Sequence, residues 1–333
     1  MASISVVIPL YQTERYIAEA LGSVLAQTFT DFEVIVVDDG SNDRGPEIAR
    51  STNDARVRVV TQENRGLAGA RNTGIRESTA PLIAFLDADD RWAPAKLERH
   101  AELLARQPQT GVTFCASRLV DDDGAALGLN QRPARQMFPA SYIFCRNPVG
   151  NGSAPVIRRA ALDAVAFHDA SLNRTCWFDE GFRQSEDIEC WTRIAATTPW
   201  QFAFVDEPLT DYRVNSGGLS ANTDKQLATW RRFRAKVKGY APVLEARFGD
   251  TAEAYQLRYL ARRALMGGGA SKPALAMMLR AIRLSPRLLI DEPSRTLVTL
   301  AAAIAQRVLP PAWFVQLEAL ALNGMSHLRG ARV

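Results

Sequence analysis

The chain has 333 residues, 47% of them hydrophobic and 23% charged, a globular composition long enough to bury a sizeable core without metal or disulfide staples. Its four cysteines (Cys115, Cys145, Cys176, Cys190) form no CxxC pair and its three histidines (His100, His168, His327) stand apart, which argues against a structural zinc site and for reduced thiols in a reducing compartment. The net charge of +4 is uneven: Lys225 to Val333 carries 18 Lys and Arg against 6 Asp and Glu, which leaves the front at −8, so the tail is expected to face something anionic.

Met1 to Pro9 has no basic stretch leading an apolar segment of signal length and reads as a strand that starts at once. The β-branched run Ile4 to Pro9 is followed by Glu14 to Gln27, where Ile17, Ala20, Leu21, Val24 and Leu25 share one helical face. Phe32 to Val37 predicts a second buried strand, closed by the turn-forming cluster Asp38-Asp39-Gly40-Ser41-Asn42-Asp43. Arg56 to Val60 reads as a third strand, Leu67 to Glu77 as a helix and Leu82 to Leu86 as a fourth strand. Apolar strands alternating with amphipathic helices imply an α/β fold, a mostly parallel Rossmann-like sheet with helices on both faces. Further along, Lys96 to Arg106 and Asp187 to Ala196 read as helices, and Gly111 to Leu119 and Phe202 to Val205 as strands. After Asp224 the pattern is helical throughout: Leu227, Trp230, Val237 and Leu244 form one stripe, and Leu257, Leu260, Ala264 and Leu265 another, ended by Gly267-Gly268-Gly269. Ser271 and Ser294 are the expected N-caps of two further helices. Three regions follow: 1–90, a ligand-binding half; 91–222, a second half of the same domain; and 223–333, a basic all-helical region.

Ligands on open α/β sheets bind beyond the carboxyl ends of the strands. The polar clusters gather there: Tyr11 to Glu14, Asp38-Asp39, and Asp87-Ala88-Asp89-Asp90. Crowded carboxylates at the end of a buried strand are costly without a cation, and Mg²⁺ or Mn²⁺ prefers oxygen ligands shared with substrate phosphates. The bland reading of Asp87 to Asp90 is a solvated acidic turn, and its place after a buried strand weighs against that. In the Asp38 to Ser41 cluster, Asp39 is the candidate to bind a base or ribose, with Ser41 or Asn42 capping. Arg71 reads either as a group facing phosphate or as a solvated helix residue, and Tyr11 either as a stacking surface or as core. Glu186-Asp187 reads either as acidic residues favoured at a helix start or as a general base for a hydroxyl. A helix start alone would not raise the pKa of either. A dinucleotide-dependent oxidoreductase would need a glycine-rich turn where this chain has Pro9-Leu10-Tyr11-Gln12-Thr13. A nucleotidyltransferase would need a glycine-rich phosphate loop near the N-terminus. An acidic front disfavours nucleic acid as a partner.

Together these motifs resemble inverting glycosyltransferase family 2, of the GT-A fold, over about the first two-thirds of the chain. The resemblance rests on Val6 to Tyr11 with Tyr16-Ile17 and Ser23 to Thr28, Phe32 to Ser41, Asn64 to Gly66 with Ala70 to Gly74, Phe85 to Asp90, and Ser185 to Asp187 with Trp191 and Arg193. It implies that Pro9, Tyr11, Asp39 and Arg71 hold a nucleotide, most simply UDP, with Glu14 lining the cleft, Asp87 at the ribose and Asp89 on Mg²⁺ or Mn²⁺. Asp187 would be the base, with Glu186 the second candidate, in a single inverting displacement that transfers a hexosyl or hexosaminyl group. The implied acceptor is a hydroxyl of a glycan or lipid-linked glycan, as in polysaccharide biosynthesis. The alternative is a non-catalytic sugar-nucleotide sensor or scaffold, which needs no base.

Where many relatives carry a His after Tyr212-Arg213, this chain has Asn215, and Arg213 or Ser216-Gly217-Gly218 is the expected substitute at the diphosphate. Gly150 to Ser153 with Val156 to Arg159 resembles an acceptor-side segment and also fits a plain turn and strand. The basic tail has two readings. Arg231 to Arg234, Arg262-Arg263 and Trp313-Phe314 can face anionic lipid, which would make the chain a cytoplasmic protein peripheral on the inner face of the cell membrane. Otherwise it is a helical subdomain with solvated arginines.

Overall fold

Side chains alternate between two cores along the leading strands. Val7, Ile35, Val37, Ile83 and Phe85 join one buried cluster, while Val6, Ile8, Val34, Val36, Ala84 and Leu86 join another. The period of two along a strand sends neighbours to opposite faces, so strands that read as unbroken apolar runs must be covered on both sides. A computed structural model describes residues 2–214, 223–266 and 273–310. The chain divides into two compact units, Met1–Asn215 with Gly239–Ala241, and Ser216–Lys238 with Pro242–Val333.

The first unit opens with β1 (Ile4–Leu10), α1 (Ile17–Leu25), β2 (Phe32–Asp38), α2 (Gly45–Arg50), β3 (Val57–Thr61), α3 (Gly66–Glu77) and β4 (Leu82–Phe85). It continues with β5 (Arg91–Trp92), α4 (Lys96–Arg106), β6 (Thr110–Val120), β7 (Ala126–Gln131), α5 (Ala140–Arg146), β8 (Pro155–Arg158) and α6 (Arg159–Asp163). The short pair β9 (Phe167–Asp169) and β10 (Arg174–Cys176) precedes α7 (Glu186–Thr197) and β11 (Gln201–Arg213). The large sheet runs β3-β2-β1-β4-β8-β6-β11-β5, with β7 on β6. Its front half is parallel, as the alternating pattern predicts. The far half is mixed, because β8 runs antiparallel between β4 and β6. Gly74 lets α3 lie directly on β1, since a Cβ there would sit 2.1 Å from a Val7 methyl.

Several local expectations shift. β11 extends to Arg213, well beyond Val205, because the ladder with β6 passes through register shifts around Pro208 that interrupt the apolar run. Neither Ser41 nor Asn42 caps a helix. Asp38 accepts the Ser41 N–H (3.0 Å), and the N-cap of α2 is Arg44, with Asp43 accepting the Gly45 N–H (3.0 Å).

The second unit contains α8 (Thr223–Tyr240) up to Lys238, α9 (Pro242–Met266), α10 (Pro273–Leu284), α11 (Leu288–Asp291) and α12 (Pro293–Val308). The stripe of Leu227, Trp230 and Val237 ends with α8, and Leu244 belongs to α9, separated from it by the break before Pro242. Leu257, Leu260, Ala264 and Leu265 are buried in α9 as expected. Ser294 lies inside α12, whose N-cap is Glu292. The Arg231 to Arg234 segment is no uniform cationic face, since Phe233 is fully buried and Arg234 pairs with Glu245, Asp250 and Glu253. Asn215, Ser216 to Gly218, Gly267 to Gly269, Ser271 and Trp313-Phe314 lie outside the described residues.

Candidate active site

The site is built around Arg71. It sits on α3, 2% exposed, with Nη2 donating to Asp87 Oδ1 (2.8 Å) and Nη1 donating to Glu186 Oε1 (2.7 Å). Its guanidinium carbon lies 5.9 Å and 5.7 Å from the ring centres of Phe85 and Phe178, within cation–π range. Arg71 is thus neither the solvated helix residue nor an open phosphate-facing group. Two carboxylates nearly a hundred residues apart in sequence meet on one buried cation, which offsets the cost of burying Arg71 and Glu186.

Asp87 and Asp89 follow β4 directly and keep partial exposure, whereas Asp90 is buried. Asp90 accepts from the Ser153 hydroxyl (2.5 Å) and from the Arg213 N–H (2.9 Å). Burial, then the charges of Asp89 and Asp87, push its carboxyl well above the usual range. Three crowded carboxylates are an oxygen-donor set with excess negative charge, and a hard divalent cation fits that chemistry. Among the described residues no group of three His, Cys, Asp or Glu is arranged to hold a metal by itself. Mg²⁺ and Mn²⁺ ordinarily keep water and phosphate ligands, so a site for either needs few protein carboxylates, and Asp87 and Asp89 are the partly exposed ones here.

Beside the end of β4 lies the turn entering its sheet neighbour β8. Ser153 Oγ accepts the Asp87 N–H (2.9 Å), and Asn151 donates to Ser117 Oγ (2.8 Å) and Gln131 Oε1 (3.1 Å). A Cβ on Gly152 would stand 2.0 Å from Arg71 Nη2 and 2.9 Å from Asp87 Oδ2. Backing this turn is Lys96, fully buried, whose Nζ donates to Ala154 O (2.8 Å) and lies 3.2 Å from Cys115 Sγ. By sequence Gly150 to Ser153 fits an acceptor-side segment or a plain turn, and Lys96 only opens a helix. The glycine between two polar residues was the available signal for a close approach. Gly152→Ala should keep the fold yet lower activity by about tenfold or more, because Arg71 and Asp87 must part to admit the methyl. Steady-state kinetics beside a thermal melt would check it.

The base candidates lie at the start of α7, after Ser185, which holds a left-handed φ of 64°. Such a conformation in a non-glycine residue stores strain that the surrounding contacts must hold. Glu186 is 5% exposed, and burial, opposed by Arg71, raises its carboxyl to about 7. Asp187 keeps some exposure, and burial also raises it, again against Arg71. Asn147 Nδ2 stands 3.5 Å from Asp187 Oδ2. Desolvation therefore supplies the raised pKa that a helix start alone would not. Trp191 packs edge-on against Phe178, with ring centres 5.8 Å apart, and Arg193 pairs with Glu189 (3.0 Å), so both support the helix.

Asp39 is 2% exposed and accepts from Gln62 Nε2 (2.6 Å), the Arg65 N–H (2.8 Å) and the Gly66 N–H (2.8 Å), which anchors the start of α3. Arg65 in turn pairs with Glu180 (2.5 Å), tying the Asp39 turn to the segment that leads into α7. Pro9 is buried in β1 beside Val37. Tyr11 is 47% exposed, which removes the core reading. Glu14 is exposed, and its carboxylate accepts the Arg44 N–H (2.9 Å). Arg213, the expected substitute at the diphosphate, is 4% exposed and already engaged by the chain. Its guanidinium donates to Asp89 O (2.8 Å), Asp121 O (3.0 Å), Asp122 O (2.8 Å) and Glu19 Oε2 (2.7 Å).

Residues 5–166 match the profile described as glycosyl transferase family 2. Those residues, just under half of the chain, belong to glycosyl transferase family 2. A relative in Bacillus subtilis, the uncharacterized glycosyltransferase EpsJ, is 42% identical over 114 residues, 34% of this chain and 33% of its own length. An uncharacterized glycosyltransferase of Rickettsia typhi is 27% identical over 242 residues, 70% of this chain and 72% of its own. The chain thus spans about a third of the first relative's length. Among solved structures, Staphylococcus aureus TarS 1-349 in complex with UDP superposes with a TM-score of 0.59 at 18% identity, covering 92% of this chain and 91% of that one. The mannosyltransferase PcManGT from Pyrobaculum calidifontis, in complex with GDP-Man and Mn²⁺, gives 0.58 at 24% identity, covering 92% and 86%. The likeness to these structures shows a shared fold over most of the chain, a GT-A-like sheet followed by C-terminal helices.

Proposed function

We propose that this family 2 member transfers a hexosyl or hexosaminyl group from a nucleotide diphosphate, UDP in the first instance, to a hydroxyl of a glycan or lipid-linked glycan. The reaction is a single in-line displacement with inversion at the anomeric carbon. The observation that carries this reading is the Arg71 bridge, which holds a donor-side carboxylate, Asp87, and a base-side carboxylate, Glu186, on one cation. The ligands of the solved neighbours, UDP in one and GDP-Man with Mn²⁺ in the other, support the donor class.

In this reading the exposed ring of Tyr11 stacks on the base, while Pro9, Asp39 and Glu14 line its pocket. Asp39 does so from a turn already fixed by Arg65 and Gly66. Asp87 meets the ribose, held in place by Arg71 and by Ser153, which leaves Asp89 for Mg²⁺ or Mn²⁺. When bound, the cation neutralises charge building on the departing diphosphate. Asp187 takes the acceptor proton, its carboxylate made more basic by desolvation. Glu186, bound to Arg71, holds the start of α7 in place and is the second candidate for the base. A sensor or scaffold would have no use for a partly exposed carboxylate of raised basicity beside the donor site, which favours the enzyme. The chain would act in the cytoplasm.

Mn²⁺- or Mg²⁺-dependent hydrolysis of UDP-sugars tests the proposal without an acceptor. The native chain should release UDP from at least one donor and stop on chelation, and Asp89→Asn should cut turnover by about 10³-fold together with Mn²⁺ binding by calorimetry. Native turnover in Asp89→Asn, or no binding heat with any sugar nucleotide plus Mn²⁺, would overturn it.

A further inference from the structure

In α12 the usual amphipathic order is inverted. The inward positions are Thr296, Thr299 and Ala303, at most 7% exposed, whereas Leu297, Val298, Ile304 and Val308 are 53%, 69%, 46% and 72% exposed. At the helical period Leu297, Ala301, Ile304 and Val308 line up as one outward stripe, with Val298 at its edge. The adjoining α11 adds Ile290, 79% exposed.

The orientation is locked by polar anchors on the other face, where α12 packs on α9 and α10. Thr296 Oγ1 accepts from Arg258 Nη1 (2.9 Å) and lies 2.8 Å from the carbonyls of Leu288 and Glu292. Arg258 also pairs with Glu292. Rolling the helix to bury its aliphatic side chains would strand a buried arginine, so the outward stripe is the arrangement this unit enforces.

Arg295 and Arg307, both exposed, fall on opposite sides of the stripe at the helical period. Arg295 makes only a loose pair with Glu292, at 3.7 Å. An apolar stripe flanked by arginines matches an anionic lipid surface, where the aliphatic groups enter the acyl boundary and the guanidinium groups reach phosphate. The Lys225 to Val333 excess of 18 basic over 6 acidic residues points the same way, and it opposes a second copy of the same like-charged surface. Among the described residues no helix is long and apolar enough to cross a membrane.

We infer that α12 is a membrane-surface helix that seats its Leu297 to Val308 stripe, edged by Arg295 and Arg307, on an anionic bilayer. This inference stands apart from the proposed transfer reaction and survives its failure.

Cosedimentation of the full chain with phosphatidylcholine vesicles, with and without phosphatidylserine, reads it directly. The native chain should prefer vesicles containing phosphatidylserine and release in high salt. Leu297→Glu with Ile304→Glu should weaken that binding by about tenfold or more, with melting temperature and nucleotide-sugar hydrolysis unchanged. Arg295→Gln and Arg307→Gln should each weaken it about fivefold on the anionic vesicles alone. Equal affinity for both vesicle types overturns the inference. So does a glutamate pair that leaves vesicle binding intact while lowering the melting temperature or changing the oligomeric state, because the stripe is then covered by the chain's own residues 311–333 or by a second copy.

Discussion

Asp187→Asn should lower sugar transfer by about 10²- to 10⁴-fold, the range for loss of a general base, while nucleotide binding stays within about twofold of native. The amide keeps the size of the side chain at the start of α7 but cannot accept the acceptor's proton. The pH profile carries the same information. Burial raises Asp187 above its ordinary value of 3.8 and Glu186 to about 7, in both cases against the pull of Arg71. A base works only when ionised, so kcat/KM should fall as pH drops, with the acid limb lying above the ordinary aspartate range. An acid limb at or below 3.8, or native transfer by Asp187→Asn, would remove Asp187 from the mechanism.

Arg71→Met should be among the most damaging single changes to folding. It leaves Asp87 and Glu186 without the cation that joins them, and breaking a buried pair from one side costs about 3–5 kcal/mol. The penalty should depend on pH with a defined sign. Glu186 already titrates above its unfolded value of 4.5, so its protonated form stabilises the fold below that value, and the contribution is lost as pH rises through about 7. Without Arg71 the carboxyl moves higher still, which deepens the loss at neutral and alkaline pH. Urea titrations should show a larger deficit near about pH 8 than near about pH 5. A deficit that is equal at both, or below about 1 kcal/mol, would mean the bridge is not an energetic centre.

The parallel half of the sheet was legible because its strands are unbroken apolar runs, and such runs occur where both faces are covered. The helices Lys96–Arg106 and Glu186–Thr197 stood out through period and length. β8 was legible only as a turn and strand by composition, because four residues are too few to establish a period, and the pair β9 and β10, at three residues each, did not stand out. The same limit applies to the site. Asp87, Asp89 and Asp187 could each be singled out by residue type beside a strand or helix end, and Arg71 as an arginine on a helix near Asn64 and Arg65. That Arg71 is buried between two of the acidic clusters could not, because the partners come from α3, the end of β4 and the start of α7, and no local pattern encodes that meeting. Gly152 and Ser153 stand in a segment the sequence singles out, but their contacts with Arg71, Asp87 and Asp90, like the role of Lys96, could not be read, because the partners come from other segments. Tyr11 shows the converse, since its type left stacking and core open and only its exposure decides between them.

The direction of β8 sets how the site tolerates change. Antiparallel pairing of Ala84 with Val156 and Ile83 with Ile157 brings the residues entering one strand beside those leaving the other. A slip of a single position would exchange Gly152 for Asn151 or Ser153 under the guanidinium and wedge a side chain where a lone hydrogen now fits. Correct alignment of two short strands is therefore a precondition for the charge cluster to assemble at all, and inserting or deleting one residue between Asn147 and Pro155 should disable the protein before any acidic group is touched.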